Sequence, residues 1–329
     1  MNSTTVSILV PIYNVSNYIE RCAHSLFQQT FDNIEYIFVN DCTPDDSIEK
    51  LQKVIEQYPN RKEQIKIVHH ERNRGLAATR NTAVDNSTGK YIQHIDSDDW
   101  IELDMIETMY NKAEAEQADI VVCDFFFERK NTKEILCDFV PQHRKDYFYS
   151  MVENSATKGY LWNKLVNKKL YELPDCRSIE GLNLLEDRQV TTRLYYYAEK
   201  IVKIDKAFYH YNKMNPNAIT ASKTSMDYEN VILFYELLEE FLQEKGLLKN
   251  FAGIIECQKA TWKVNLLMQT KKITLRKKYA YLYRDIEMKH ISKFRRGEKI
   301  VLFFTHYGCH LLAHFAYLLI IFKNRERSK

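Results

Sequence analysis

The sequence predicts an α/β fold, a largely parallel sheet flanked by helices and followed by a helical extension. Two observations carry that expectation. Short, β-branched apolar runs alternate with helix-period segments through the first 125 residues. Beyond residue 216 the apolar pattern turns helical and stays so.

Taken in order, the strand-like runs are VSILVPIY (6–13), IEYIFVN (34–40), IKIVHH (65–70), KYIQHI (90–95) and DIVVCDF (119–125). Between them Tyr18, Cys22 and Leu26 recur every four residues, and Ile48, Leu51 and Ile55 follow a three-four spacing. Asp45, with Ser47 behind it, is positioned to cap the second helix. Short connections between such elements imply right-handed βαβ units. From 128 to 150 the pattern loosens into a surface excursion, then YLWNKLV and IVKIDKAFYHY restore apolar segments. NPNAITAS reads as a loop, and YENVILFYELLEEFLQEK and GIIECQKATWKVNLLMQ read as helices. The expected domains are therefore 1–215 and 216–329.

Composition narrows the class. With 45% hydrophobic and 28% charged residues, the chain can bury a large core. Eight glycines and six prolines exclude fibrous repeats and extended disorder. Seven scattered cysteines without a CxxC pair read as free thiols of a reducing compartment, not as a disulfide framework or zinc site. The start, MNSTTVSILVPIYN, lacks a basic n-region and reads as a first strand, not a signal peptide. Charge is uneven. Residues 271–299 carry +8 and 323–329 carry +3, so 1–270 sum to −8 within a chain of net +3.

Open α/β sheets bind ligands at the carboxyl ends of their strands. The residues there are Asn14, Asp41, Arg72 to Gly75, and Asp96 to Asp99. No GxGxxG follows the first strand and no GxxxxGK[ST] occurs, so dinucleotide-binding and P-loop chemistry lose their main support. Asp96 and Asp98, one residue apart in HIDSDDW, can face one divalent cation; hard oxygen ligands suit Mg²⁺ or Mn²⁺. The bland alternative is a solvated turn or a helix start, because IELDMIETMY follows with a helical pattern. Haloacid-dehalogenase phosphatases also carry Asp-x-Asp, but after the first strand and before Thr or Val. Here it follows the fourth strand, before Asp99 and Trp100.

SILVPIYN, VNDCTPDDS, NRGLAATRN, IDSDDW and LLEDRQV, in that order and spacing, resemble the inverting family 2 glycosyltransferases of the GT-A fold, of the bacterial cell-surface polysaccharide type. The resemblance covers residues 5 to 215, and five ordered motifs are far more specific than any one alone. It implies a Rossmann-like, mostly parallel mixed sheet and transfer of a sugar from a nucleotide-diphosphate sugar to an acceptor hydroxyl. It places Pro11, Tyr13 and Asp41 around the nucleoside, Arg80 on the nucleotide and Gly75 at a close backbone approach. Asp96 and Ser97 fall on the donor, and Asp96 with Asp98 on Mn²⁺ or Mg²⁺. Asp187 matches the general base, with Glu186 beside the acceptor. Asp99 either supports the metal shell or starts the next helix. An inverting displacement needs such a base opposite the leaving group and charge stabilisation on the departing diphosphate.

Departures are informative. The family pattern VDDGSTDGS reads VNDCTPDDS here, so Cys42 stands at the glycine position and Asn40 at an aspartate, which puts base specificity in question. His94 reads as a packed sheet residue. Trp162 and Lys164 admit two readings: packing with a snorkelling amine, or a place beside donor or acceptor. Tyr195 to Tyr197 and Tyr209 to Tyr211 read as core.

VLFFTHYGCHLLAHFAYLLIIF (301–322) contains no Asp, Glu, Lys or Arg and is long enough on paper to span a bilayer. Read as one helix, it aligns His306, His310, His314 and Tyr317 on one face. With basic flanks, an in-plane membrane helix or one packed on the enzyme fits better than a span, and anionic lipid would attract it. The histidines and Cys309 lack an acidic partner for a metal. No nucleic-acid partner is expected, because the basic charge adjoins an apolar helix and no such motif occurs. The implied protein is a cytoplasmic enzyme at the inner membrane face, acting on a glycan or lipid-linked acceptor. A pyrophosphorylase would need a glycine-rich basic loop where PIYNVSNYIE stands. An inactive binding or scaffold protein would not need Asp41, Asp96, Asp98 and Asp187 together.

Overall fold

Alternating burial explains the sheet. Val6, Ile8, Val10 and Ile12 of β1 (Val6–Ile12) face one apolar cluster and Leu9 faces the other. Tyr36 and Phe38 of β2 (Ile34–Asn40) share the first cluster, while Ile37 and Val39 join the second. A strand buried on both faces must be apolar at nearly every position, which is why these runs are continuous. The structure, a computed structural model, describes residues 4–153, 156–216, 218, 225–270 and 272–327. Most of NPNAITAS, Lys271 and the side chains beyond Phe322 lie outside the described residues. The chain divides into two compact units, Met1–Phe234 and Tyr235–Lys329.

In the first unit, β3 (Ile65–His69) and β4 (Tyr91–His94) flank β2 and β1 in parallel, and α1 (Ile19–Phe27), α2 (Ser47–Ile55) and α3 (Leu76–Asp85) connect them. The described nine-stranded sheet has the order β3-β2-β1-β4-β8-β6-β9-β5, with β7 paired to β6. Later strands are β5 (Trp100–Ile101), β6 (Ile120–Glu128), β7 (Lys133–Leu136), β8 (Lys164–Asn167) and β9 (Ile201–Asn212). β8 runs antiparallel between β4 and β6, and β9 returns parallel to β6, so the sheet is mixed as the resemblance implied. α1, α2 and α4 (Met105–Glu116) pack on one face; α3, α5 (Arg144–Glu153) and α6 (Glu186–Tyr197) pack on the other. α2 starts at Ser47 with Asp46, one residue past the expected Asp45, at the capping position; Asp45 still accepts a hydrogen bond from Ser47 N at 3.2 Å.

Two expectations change. The 128–150 excursion contains ordered elements: β6 runs on to Glu128, pairs with β7 as a hairpin, and α5 follows. Lys164 does not snorkel. It is wholly buried, its Nζ 3.1 Å from Asp138 Oδ2 and bonded to Lys158 O and Asn163 Oδ1, each at 2.9 Å. Asp138 completes the network by accepting from Lys158 N at 2.8 Å and Asn163 Nδ2 at 2.9 Å.

In the second unit, α7 (Ser225–Glu244) supplies its final turns, followed by α8 (Leu248–Gln269), α9 (Ile273–Ala280), α10 (Arg296–His306) and α11 (His310–Arg327). The expected single helix over 301–322 is broken at Gly308, whose φ of +76° is a left-handed conformation suited to glycine just past a helix end. His306 therefore belongs to α10, not to a stripe with His310 and His314. Its Nδ1 lies 2.6 Å from Glu287, which is wholly buried and also paired with buried Lys263. Among the described residues, no helix is long and apolar enough to cross a membrane.

Removing one member of a buried ion pair strands the other charge. Asp138→Ala should cost the first unit about 3–5 kcal/mol, read as a lowered urea midpoint by tryptophan fluorescence. Asp138→Asn combined with Lys164→Met should recover most of the loss.

Candidate active site

The carboxyl ends of β1 to β4 open on one sheet edge, and α6 brings a second group of acids to it. At the centre sits Arg80, on α3 and only 2% exposed. Its Nη2 lies 3.0 Å from Asp96 Oδ1, 3.1 Å from Asp187 Oδ1 and 3.8 Å from Glu186 Oε1. Burial opposes the guanidinium charge, but Asp187, Asp96 and Glu186 together raise its pKa further above the usual arginine value. Nε and Nη1 of Arg80 are buried with no hydrogen-bond partner among the described residues. Carboxylates from two segments far apart in sequence thus meet on one cation.

Each expected residue has a definite place. Asp187 and Glu186 open α6, directly after Leu185 in the left-handed region at φ 67°. Asp187 Oδ2 accepts from Leu161 N at 3.4 Å. Burial raises the Asp187 pKa and Arg80 opposes the rise; for Glu186, burial and then Asp187 push it well above the usual range. Asp98 is pushed up to about 6, first by burial and then by Asp96, against a 2.8 Å hydrogen bond from Asn215. Asp99 is buried and does not start a helix, since α4 begins at Met105. Its carboxylate accepts from Tyr209 OH at 2.6 Å and Asn212 N at 2.7 Å, so it fastens the acidic loop to β9. Ser97 is buried beside it.

Asp41 follows β2 and is almost completely buried. It accepts from Arg74 N and Gly75 N at 2.8 Å each, and its Oδ1 lies 2.7 Å from His70 Nδ1. The other ring nitrogen of His70 meets Thr82 Oγ1 at 2.9 Å. Asp41 therefore shapes the 70–75 loop. Gly75 is required there by its φ of +86° and by Asn183, whose Oδ1 would lie 2.7 Å from an added Cβ. Pro11 is buried near the end of β1, and Tyr13 beyond it is exposed. Trp162 is buried, stacked between Tyr160 at 4.6 Å and Tyr209 at 4.3 Å. His94 packs edge-on to Tyr171 at 5.8 Å.

His70, Asp138, Asn212 and Asn215 escape the sequence reading, and Tyr209 reads there only as core. Of these, His70 offered a signal, because it directly follows β3 on the ligand-binding edge. Among the described residues no three His, Cys, Asp or Glu side chains are grouped to hold a metal by themselves. The arrangement offers paired carboxylates, a buried arginine and an acid pair at a helix N-terminus.

Residues 7–161 match the family described as Glycosyl transferase family 2. The chain is 31% identical over 257 residues to the putative glycosyltransferase EpsH of Bacillus subtilis, covering 76% of this chain and 73% of that protein. It is 32% identical over 244 residues to the uncharacterized glycosyltransferase EpsJ of the same organism, covering 70% and 69%. In fold it resembles S. aureus TarS 1-349 in complex with UDP-GlcNAc, with a TM-score of 0.68 at 19% identity over 95% of this chain and 90% of that one. The chain belongs to glycosyl transferase family 2 and is a glycosyltransferase with a GT-A fold.

In chelator-treated protein Asp98 ionises in the fold near pH 6 against 3.8 in the unfolded chain. Its charged form therefore costs stability above pH 6 and nothing below the unfolded value. Asp98→Asn should raise stability by about 1–3 kcal/mol at pH 7.5 and leave it unchanged at pH 3. Thermal unfolding at the two pH values checks this, and a loss at pH 7.5 would contradict it.

Proposed function

We propose that this family 2 glycosyltransferase is a metal-dependent, inverting enzyme that transfers a sugar from a nucleotide-diphosphate donor to a glycan or lipid-linked acceptor. The carrying observation is the convergence of Asp96 and Asp187 on a single buried arginine, with Asp98 close enough to Asp96 for the two carboxylates to repel. Asp96, Asp98, Asp99, Glu186 and Asp187 outnumber Arg80 and the nearby Lys213, so a donor diphosphate entering here would gain from an added cation. Burial first, and then Asp96, raise the Asp98 pKa, so holding that carboxylate charged also calls for a cation. Two hard carboxylates fit Mn²⁺ or Mg²⁺, whose remaining ligands come from phosphate oxygens and water. A divalent cation held at Asp96 and Asp98 would stabilise charge on the departing diphosphate.

The chain's own groups account for the rest of the reaction. Asp187 accepts the acceptor hydroxyl proton as its oxygen bonds to the anomeric carbon, and the bond to the nucleoside diphosphate breaks with its electron pair. One displacement inverts the anomeric centre. Burial makes Asp187 more basic than a solvated carboxylate, while Arg80 holds its orientation. The Asp41-shaped loop, with Pro11 and Tyr13, offers the nucleoside site. That the TarS structure carries UDP-GlcNAc supports UDP-sugars as first donors to test.

A membrane address accompanies this reading. Phe303, Leu311, Phe315, Leu318, Leu319 and Phe322 are exposed on α10 and α11, and Arg295, Arg296 and Lys299 stand at the start of α10. Apolar side chains beside basic ones suit the interface of an anionic membrane, the inner face of the cell membrane in this proposal.

Asp98→Ala should abolish Mn²⁺-dependent UDP binding by calorimetry. Asp187→Asn should retain donor binding and lose transfer by about 10²–10⁴-fold; normal turnover would remove the base assignment. The full chain should co-sediment with anionic phosphatidylglycerol vesicles at low salt, and Leu311→Glu with Phe315→Glu should release it. Failure of the unaltered chain to sediment refutes the address.

A further inference from the structure

The segment that leads into α6 reaches back to the loop that receives the nucleoside in the proposed function. Asp41 holds that loop by accepting from Arg74 N and Gly75 N, so the backbone that carries the Arg74 side chain has a fixed position. Residues 178–184 are fastened on both sides of a short turn. At one end Asn81 Nδ2 donates to Ser178 O at 2.7 Å, and Asn81 Oδ1 accepts from Ser178 N at 3.0 Å. At the other end Asn230 Oδ1 accepts from Asn183 N at 2.7 Å and from Leu184 N at 3.2 Å. Ser178 and Leu182 are buried, and Leu182 N closes the turn on Ile179 O at 3.1 Å. Glu180 and Gly181, in the middle of the turn, are exposed.

That turn carries a carboxylate to the donor loop. Glu180 Oε1 lies 2.7 Å from Arg74 Nη2, and Asn183 Oδ1 lies against Gly75. Arg74 therefore bridges the Asp41 loop and the segment that ends in Glu186 and Asp187. A bound donor must span the same interval, because its nucleoside lies at one end and its anomeric carbon meets the acceptor beside Asp187. Its two phosphates fall between those points.

Glu180 holds this arginine weakly. The two side chains are 41% and 56% exposed, and an exposed pair of this kind adds little to stability. The bonds from Asn81 and Asn230 keep the turn in place without it. A diphosphate carries more charge than one carboxylate, and its oxygens match the two parallel N–H bonds of a guanidinium. It can take Arg74 from Glu180 and leave the turn folded. Arg80, by contrast, is buried and committed to Asp96, Asp187 and Glu186.

We propose that Arg74 is a ligand of the donor diphosphate, held in reserve by Glu180 until the donor arrives. The inference rests on the donor-site reading above and adds a phosphate contact to it.

Calorimetric titration of the full chain with UDP and Mn²⁺, and saturation-transfer NMR with uridine, test the exchange. Arg74→Gln should weaken UDP binding about tenfold. Glu180→Gln removes the competitor and should tighten it about two- to fivefold. In the Arg74→Gln background, Glu180→Gln should have no effect. Uridine, which has no phosphate, should bind the unaltered chain and all three variants alike. The opposite signs decide the matter, because a pair that only shaped the loop would be lost equally from either side. UDP binding unchanged or weakened in Glu180→Gln, or uridine weakened as much as UDP in Arg74→Gln, overturns the proposal. If UDP fails to bind the unaltered chain, the donor-site reading fails and this inference falls with it. If UDP binds and the two variants do not diverge, only the Arg74 assignment fails.

Discussion

The site depends on one buried guanidinium. Arg80 is held inside the first unit by carboxylates from two distant segments, at 3.0 Å to Asp96 and 3.1 Å to Asp187. Without a cation between them, those acids could not be buried together, because like charges at low dielectric cannot both stay ionised. With it, the loop after β4 and the start of α6 are drawn to the same place. One positive charge still cannot balance the whole group. Burial, with Asp96 beside it, shifts the Asp98 carboxyl to about 6, and burial with Asp98 and Asp96 pushes Asp99 well above the usual range. The protein spends its hydrogen bonds unevenly on these two. Asp99 accepts from Tyr209 and a backbone N–H and fastens the loop to β9, whereas Asp98 accepts from the side chain of Asn215.

Backbone strain gathers around the same edge. Cys42 and Leu185 have φ of 56° and 67°, a region where a side chain costs about 1–2 kcal/mol relative to the right-handed form. Leu185 immediately precedes the acid pair of α6, so its turn aims Glu186 and Asp187 at Arg80. Cys42 follows Asp41, and the family pattern places glycine there, the residue this conformation favours. Such strain persists only where surroundings over-determine it. Around Cys42 the four-bond grip of the loop supplies that constraint: Asp41 holds residues 70, 74 and 75, and Asn40 Oδ1 accepts from Thr43 N at 2.9 Å.

The first half of the fold was legible because its information is local. β1 to β4 are continuous apolar runs, and the acids at their carboxyl ends stand in order along the chain. The acid pair of α6 was legible through its motif. What escaped depends on contacts between distant residues. Lys164 looks like a surface lysine until Asp138 is known to lie beside it, and that meeting requires the turn after β7, 26 residues upstream. Tyr209 reads as core and is core, yet its hydroxyl bonds Asp99 across 110 residues. At the C-terminus the error had the opposite origin. The apolar period over 301–322 outweighed Gly308, because one glycine costs a helix only about 1 kcal/mol. The left-handed turn at Gly308, together with the buried Lys263–Glu287–His306 group that engages the end of α10, divides the segment into two helices.

The end of β9 and the segment after it secure the acidic loop from 110 residues away. Asn212 N donates to Asp99 Oδ1 at 2.7 Å and its side chain to Asp98 O at 3.0 Å, while the Asn215 side chain donates to Asp98 Oδ2 at 2.8 Å. Tyr209, on the same strand, holds Asp99 through its hydroxyl and stacks on Trp162 at 4.3 Å, so the loop is anchored to packed core and not to other surface residues. The position of Asp98 is therefore fixed by contacts of high sequence separation, which a local motif cannot encode.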